Sequence, residues 1–425
     1  MDKTTRIDRL KNLTIVLLFL SALLLLYHAV FFESESPFAR FFSGETAQTS
    51  GTVADSLPSS KPSYLLVTGL DGTHTAAKYD GDAREKLLAL FSASLGEALG
   101  SAEDAKAVSS AEWQNALGSA GVVFDYIYPQ PLSVIAASLG TAAKDTVADV
   151  SARRLCLSVS EEGVRLYYIN AADGSVCRCT TALSVSSLTA KLGDYHGGEA
   201  AFAFELGEEY AAIDPYFIFS GEDARLQALS SVNPLPESGE ITKLFSLFGM
   251  NARISSGYFE KGGSFVYVEG AKSLRVDNRG SVLFSVTDRN GVAIAHSGEL
   301  TTAQIVSACA GICNASIGSS AGIAELVLRS CETDATGGSV NVEFGYAVAG
   351  VPVTLPDGAP AATFKVSGDT IVRAELYFRK YVYTGDTITA LPEKQAVAIA
   401  KTGGGEPLLT YDDRGDGVAA SWIVR

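Results

Sequence analysis

Residues 13–32 read LTIVLLFLSALLLLYHAVFF, twenty residues without one formal charge. That is the length an α-helix needs to cross the roughly 30 Å hydrocarbon core of a bilayer. No second run of this kind follows it. The sequence therefore reads as one span and one large body, and the first question is which side of the membrane that body occupies.

The flanks give an expectation. Lys3, Arg6, Arg9 and Lys11 precede the run, and Glu33 and Glu35 follow it. Positive residues are retained on the cytoplasmic side, which places the N-terminus inside and the body outside. A cleaved signal peptide is the competing reading. Its apolar region is usually about 7–15 residues and ends in a small-x-small site. Here the run is longer, FFESESPFARFF offers no good site, and no Cys follows for lipoprotein processing. A signal-anchor is the better fit.

The formal net charge of −15 argues against nucleic-acid binding, where a basic stripe is expected, and against docking of the body on anionic headgroups. Hydrophobic content of 47% with 19% charged residues fits a globular body with real cores. Six cysteines stand at Cys156, Cys177, Cys179, Cys309, Cys313 and Cys331. No His or second CxxC lies near them, so a metal site is poorly supported. Small buried hydrophobes are the first reading. A pair joining Cys156 to Cys177 or Cys179, or Cys331 to the helix of Cys309, stays open for an extracytoplasmic body.

Five segments follow from composition: a cytoplasmic tail 1–12, the span 13–32, a Ser/Thr/Gly-rich tether 33–61, and two α+β regions, 62–225 and 226–425. A further split near 297–300 is left open. As a random coil the tether would reach about 30 Å. In the first region the pattern gives a strand 64–68, then a helix from an Asp82/Glu85 capping box to Gly100. A second helix is capped by Ser109 and Glu112, and the strand 122–128 stops at Pro129 and Pro131. A helix 133–139, a meander 155–180, a helix 185–192 and a strand 201–206 complete it. The second region reads as a helix 241–248, a meander 264–286 and a helix capped by Thr301 and Gln304. Strands follow at 324–329, 340–348, 351–355, 362–366 and 371–383, then a helix 392–400 and strands 408–411 and 419–424. The fold class is α+β: antiparallel meanders with single helices laid across them.

Reaction chemistry is hard to find. There is no G-x-S-x-G, S-x-x-K or H-E-x-x-H, no Walker loop, and no GxGxxG after a strand. His74, after the Asp71-Gly72 turn, reads as a surface loop residue, and so does His196; His296 precedes the Thr301 cap. Asp412 to Gly417 resembles a calcium loop, but Arg414 occupies a ligand place, so a solvated hairpin turn fits better. No catalytic, cofactor or metal residue is assigned. The span itself carries a pattern: Thr14, Ser21 and His28 recur every seven residues on one helix face, with Leu17 and Leu24 between them. Hydroxyl and small residues let membrane helices approach, and polar groups bond across the contact. The alternative is tolerated hydroxyls plus an interfacial His beside Tyr27.

Several stretches carry a family likeness: RLKNLTIVLLFL (9–20), VFDYIYPQPL (123–132), SFVYVEGAKSLRVD (264–277), VEFGYAVAGVPV (342–353) and AELYFRKY (374–381). In order and spacing the chain resembles the YycH family, membrane-anchored accessory regulators of the WalK/WalR (YycG/YycF) two-component system of Gram-positive bacteria. The resemblance implies a non-enzymatic regulator at the cell membrane, with a sensor histidine kinase and a YycI-like membrane protein as partners, and no cofactor. The other readings are an extracytoplasmic binding module for a wall or lipid precursor and, less well supported, a cell-wall hydrolase.

Overall fold

The computed structural model describes residues 60–425, apart from 194, 196, 222–223, 237–239, 336, 402–404 and 416. The 13–32 span, with Thr14, Leu17, Ser21, Leu24 and His28, lies outside the described residues, as does His196. Among the described residues no helix is long and apolar enough to cross a membrane.

The first sheet is built from β1 (Tyr64–Thr68), β2 (His74–Ala77), β3 (Glu103–Val108), β4 (Gly121–Pro131), β5 (Ser151–Ser160), β6 (Gly163–Asn170), β7 (Val176–Thr180), β8 (Gly198–Phe202) and β9 (Ile218–Ser220). Their order is β3-β7-β6-β5-β4-β1-β2-β8-β9, antiparallel throughout. Strand β1 is buried at every position, as a continuous apolar run covered on both faces should be. Leu65 and Val67 face a core shared with helix α1 (Gly81–Gly100), whereas Leu66 faces Trp113 of α2 (Ser110–Gly118). Short helices α3 (Leu132–Ser138) and α4 (Asp145–Ala148) and then α5 (Val185–Leu192) complete the first layer.

After β10 (Arg225–Val232) and helix α6 (Glu240–Leu247) comes the second sheet. Its strands are β11 (Ser256–Phe259), β12 (Phe265–Glu269), β13 (Lys272–Val276), β14 (Ser281–Val286), β15 (Val292–Ala293), β16 (Glu325–Thr333), β17 (Val340–Val348), β18 (Val351–Thr354), β19 (Ala362–Ser367), β20 (Thr370–Tyr377), β22 (Pro407–Asp413) and β23 (Val418–Val424), whereas β21 (Lys380–Thr389) pairs with β10 instead. The path runs β11-β12-β13-β14-β20-β19-β17-β18-β22-β23, with β15 on β20 and β16 on β17. Because β14 pairs with β20, the strands on either side of residues 297–300 share one sheet. Helix α6 and helix α7 (Thr302–Cys313) bury their apolar faces on it, and Phe248 stacks on Phe284 at 4.3 Å. Helix α8 (Glu393–Ala400) follows β21.

The α+β class and most meander strands are as expected. The differences have physical causes. The cap of α1 is Asp80, whose Oδ1 accepts from the amides of Asp82 and Ala83 at 3.0 Å each, so no Asp82/Glu85 box forms. Strand β4 runs on through Pro129 and Pro131, but its register to β5 slips between Asp125 and Gln130, where proline has no N–H to donate. The expected single strand 371–383 is broken. Phe378 is fully buried and bonds the Gly280 carbonyl at 2.8 Å, and the chain then leaves the sheet to pair with β10. Strands β2, β3, β9, β10 and β11 had no sequence reading; β3 is exposed almost throughout and so lacks the alternation that marks a half-buried strand.

Residue Phe284, fully buried under Phe248, gives a direct check on this packing. Phe284→Ala is expected to lower unfolding free energy by about 3–5 kcal/mol in a denaturant titration.

Candidate functional site

Two adjacent arginines on one strand normally point to opposite faces. Arg153 and Arg154 of β5 do not. They fall where the ladder to β4 slips and where the register to β6 also slips, between Ala152 and Leu155. Such bulges re-aim side chains, and both guanidiniums turn toward the same acids. Arg154 Nε donates to Asp125 Oδ2 at 2.8 Å, its Nη1 to Asp214 Oδ2 at 2.6 Å, and its Nη2 to Glu406 Oε1 at 3.0 Å. Arg153 reaches both Glu406 oxygens, at 2.7 Å to Oε1, and Arg425 Nη2 donates to Oε2 at 3.0 Å. Backbone bonds of 3.0 Å in each direction between Glu406 and Arg425 hold those two in register.

Three guanidiniums thus meet three carboxylates, and the formal charges cancel. Arg154, Asp125 and Glu406 are buried. Burial opposes charge on Glu406, but the guanidiniums of Arg154, Arg153 and Arg425 outweigh it and hold the carboxyl well below its ordinary range. Burial also disfavours charge on Arg154, and Asp125, Asp214 and Glu406 reverse that, leaving it more firmly protonated than a free guanidinium. Beside the cluster opens a shallow cleft of about 600 Å³, lined by Arg153, Ala212, Ile213, Asp214, Gly405, Glu406 and Arg425. A carboxylate saturated by arginines is a poor proton carrier. What this arrangement can do is bind the end of the second sheet to the middle of the first.

Further buried polar links join the same parts. Lys78, immediately after β2, pairs with Glu393 of α8 at 2.6 Å; the two side chains are 1% and 5% exposed. The ammonium lies 4.9, 5.0 and 4.2 Å from the ring centres of Tyr64, Tyr79 and Phe217, an aromatic cage that favours a cation. Glu393 also accepts from the Ser220 amide at 2.9 Å. Arg84 of α1 bonds Glu325 of β16 at 3.0 Å.

His74 needs a correction. It opens β2, not a surface loop, and its side chain is nearly buried against Phe202. Its Nδ1 lies 2.9 Å from Thr68 Oγ1 and its Nε2 lies 2.9 Å from Glu205 Oε1. The Thr–His–Glu order imitates a nucleophile triad. However, the Thr68 hydroxyl is buried and donates to the Leu117 carbonyl at 2.9 Å, so it is not aimed at a substrate. His296 sits by the Gly298 carbonyl at 2.9 Å.

The acidic turn 412–417 is a hairpin, but not a fully solvated one. Asp413 is buried, accepting from Tyr381 at 2.8 Å and Ser231 at 3.0 Å, with Arg379 at 3.4 Å. All six cysteines are free thiols. A Cys156 bond to Cys177 or Cys179 is excluded by the sheet: Cys156 faces the Trp113 side, and Cys177 and Cys179 face the α1 side. Cys309, in α7, and Cys331, in β16, remain unbonded. No group of His, Cys, Asp and Glu among the described residues could hold a metal ion.

These elements define an α+β protein of two sheets, antiparallel except where β18 pairs with β22, joined by buried ion pairs. The fold matches the crystal structure of YycH from Bacillus subtilis with a TM-score of 0.58, over 89% of this chain and 96% of that one, at 11% sequence identity. The chain has a YycH-like fold. No protein-family model matches it, and no curated protein sequence does.

Glu406 gives the sharpest test of the cluster. Glu406→Gln removes the negative charge and turns one acceptor oxygen into an NH2 donor facing three guanidiniums, and should cost about 3–5 kcal/mol in unfolding free energy. The folded-state value of this carboxyl is depressed. Its contribution is therefore complete above the unfolded value of about 4.3 and is lost as pH falls below it. The wild-type chain should lose more stability on the acid side than the Gln variant does.

Proposed function

We propose that this chain is a membrane-anchored, non-enzymatic regulator of a cell-envelope sensor histidine kinase, with the span 13–32 as its anchor and the body extracytoplasmic. One observation carries the reading: the YycH-like fold extends over nearly the full length of both chains. The sequence supplies the rest, a charge-free twenty-residue run with basic residues before it. A signal from the body then has one covalent route to the cytoplasm, a shift, rotation or dissociation of that helix. The face of Thr14, Leu17, Ser21, Leu24 and His28 is the contact through which it would touch the kinase or a YycI-like partner.

The binding-module reading has less support. The cleft is lined by charges already paired with one another, not by aromatics with a few convergent polar groups. The hydrolase reading would need an acid pair free to move protons. The two carboxylates of the cleft, Asp214 and Glu406, both bind Arg154.

The test is co-purification with the kinase of full-length chain, of an anchor-swapped chain, and of the Ser21→Leu/His28→Leu double variant. The proposal predicts kinase recovery with the native anchor and at least a fivefold loss with the other two. Equal recovery with a foreign anchor contradicts the anchor contact. Absence of recovery with the native anchor, together with unchanged kinase autophosphorylation, contradicts the regulator reading itself.

A further inference from the structure

The second sheet ends at β11, which no other strand covers among the described residues. All four of its residues are exposed. The adjoining hairpin fixes where their backbone points. The Glu260 amide donates to the Ser264 carbonyl at 2.9 Å, so those two residues form a hydrogen-bonded pair. Such pairs alternate along an antiparallel ladder. Phe259 opposite Phe265, and Gly257 opposite Tyr267, are therefore the non-bonded pairs. The N–H and C=O groups of Gly257 and Phe259 point away from β12, which is the pattern that accepts an added strand.

The side chains agree. Phe259 lies edge-on to Phe265 at 4.6 Å, Phe265 lies 4.6 Å from Tyr267, and Tyr267 lies edge-on to Phe245 at 4.8 Å. A row of rings thus runs from Phe245 in the core to an edge where Phe259 is 77%, Ile254 68% and Tyr258 52% exposed. The Phe265 ring lies across Gly257, where a Cβ would collide with it. Sheets usually blunt an open edge with lysine, proline or a bulge; Ser256–Phe259 has no Lys or Pro, and its register to β12 is unbroken.

Charge selects the occupant. In a chain of net charge −15, residues 240–290 carry seven Lys or Arg against five Asp or Glu. Arg253 and Lys261 flank the strand, and neither side chain has an ion-pair partner among the described residues. Two copies joined edge to edge would bring these cations together, which is unfavourable for like charges held opposite one another. We propose that β11 is a docking edge that takes an extended acidic segment of another protein as an added strand, its apolar residues packing on Phe259 and Ile254. This goes beyond the regulator reading and does not depend on it, since it concerns only the edge and its charge.

The probe is an end-capped fluorescent peptide of sequence EVEFEVE, with KVKFKVK as its counterpart, titrated against the full chain in nanodiscs and read by anisotropy. The expected result is saturable binding of the acidic peptide at least tenfold tighter than the basic one. Phe259→Pro removes an outward N–H without touching the ladder to β12 and should weaken binding at least tenfold. Arg253→Glu/Lys261→Glu should weaken it at least fivefold at an unchanged melting temperature, and it decides the matter if the Pro variant fails to fold. No saturable binding, equal binding of both peptides, or indifference to both variants overturns the proposal. Self-association abolished by Phe259→Pro would mean a second copy is the occupant. Binding to phosphatidylglycerol vesicles without peptide binding would mean a lipid surface is. Either of these outcomes also overturns it.

Discussion

The structure turns on Glu406. This single carboxylate, just before β22, receives Arg153 and Arg154 from β5 of the first sheet and Arg425 from beyond β23. Charges taken out of water are costly unless they are fully paired, so the cluster is stable only when the two sheets are brought together in register. Lys78–Glu393 and Arg84–Glu325 impose the same condition from β2 and α1. Apolar burial supplies most of the driving force for folding, but the two large cores are separate and meet mainly through Val134 of α3 and two smaller clusters, Ile127 with Val327 and Ala347, and Phe217 and Phe219 with Val397 and Ala400. The ionic links add direction to these smaller apolar contacts in setting how one sheet sits on the other.

Under the proposed function, a body assembled in this way would transmit rather than catalyse. The carboxylates of the cluster are bound to arginines, and the Thr68–His74–Glu205 row sends the hydroxyl proton to a backbone carbonyl. Among the described residues the surface still offers shape, charge and the apolar edge of β11. Under the proposed function, the body would report a binding event to the anchor as a rigid object. Loss of the buried pairs would uncouple the sheets and blunt that report.

Much of the fold was legible because its signals are local. Thr301 and Gln304 form the capping box read from their spacing, Ser109 caps α2 through the Glu112 amide, and the SLRV run alternates as a half-buried strand does. The candidate site was not legible, because its partners are remote: Arg154 and Glu406 are 252 residues apart, and Lys78 and Glu393 are 315 apart. Nothing near Arg153-Arg154 announces the bulge that turns both side chains one way. Asp413 misled for the opposite reason. A run of acids and glycines signals a solvated turn, whereas Tyr381 and Ser231, distant in sequence, bury that one carboxylate. His74 was read as loop because four residues with no apolar period give a strand no signature.

The central claim is that buried charges make the two sheets one cooperative body. Scanning calorimetry of the chain at neutral pH tests this most directly. The account predicts a single transition whose calorimetric and van't Hoff enthalpies agree. Two resolved transitions, one for each sheet, would contradict it.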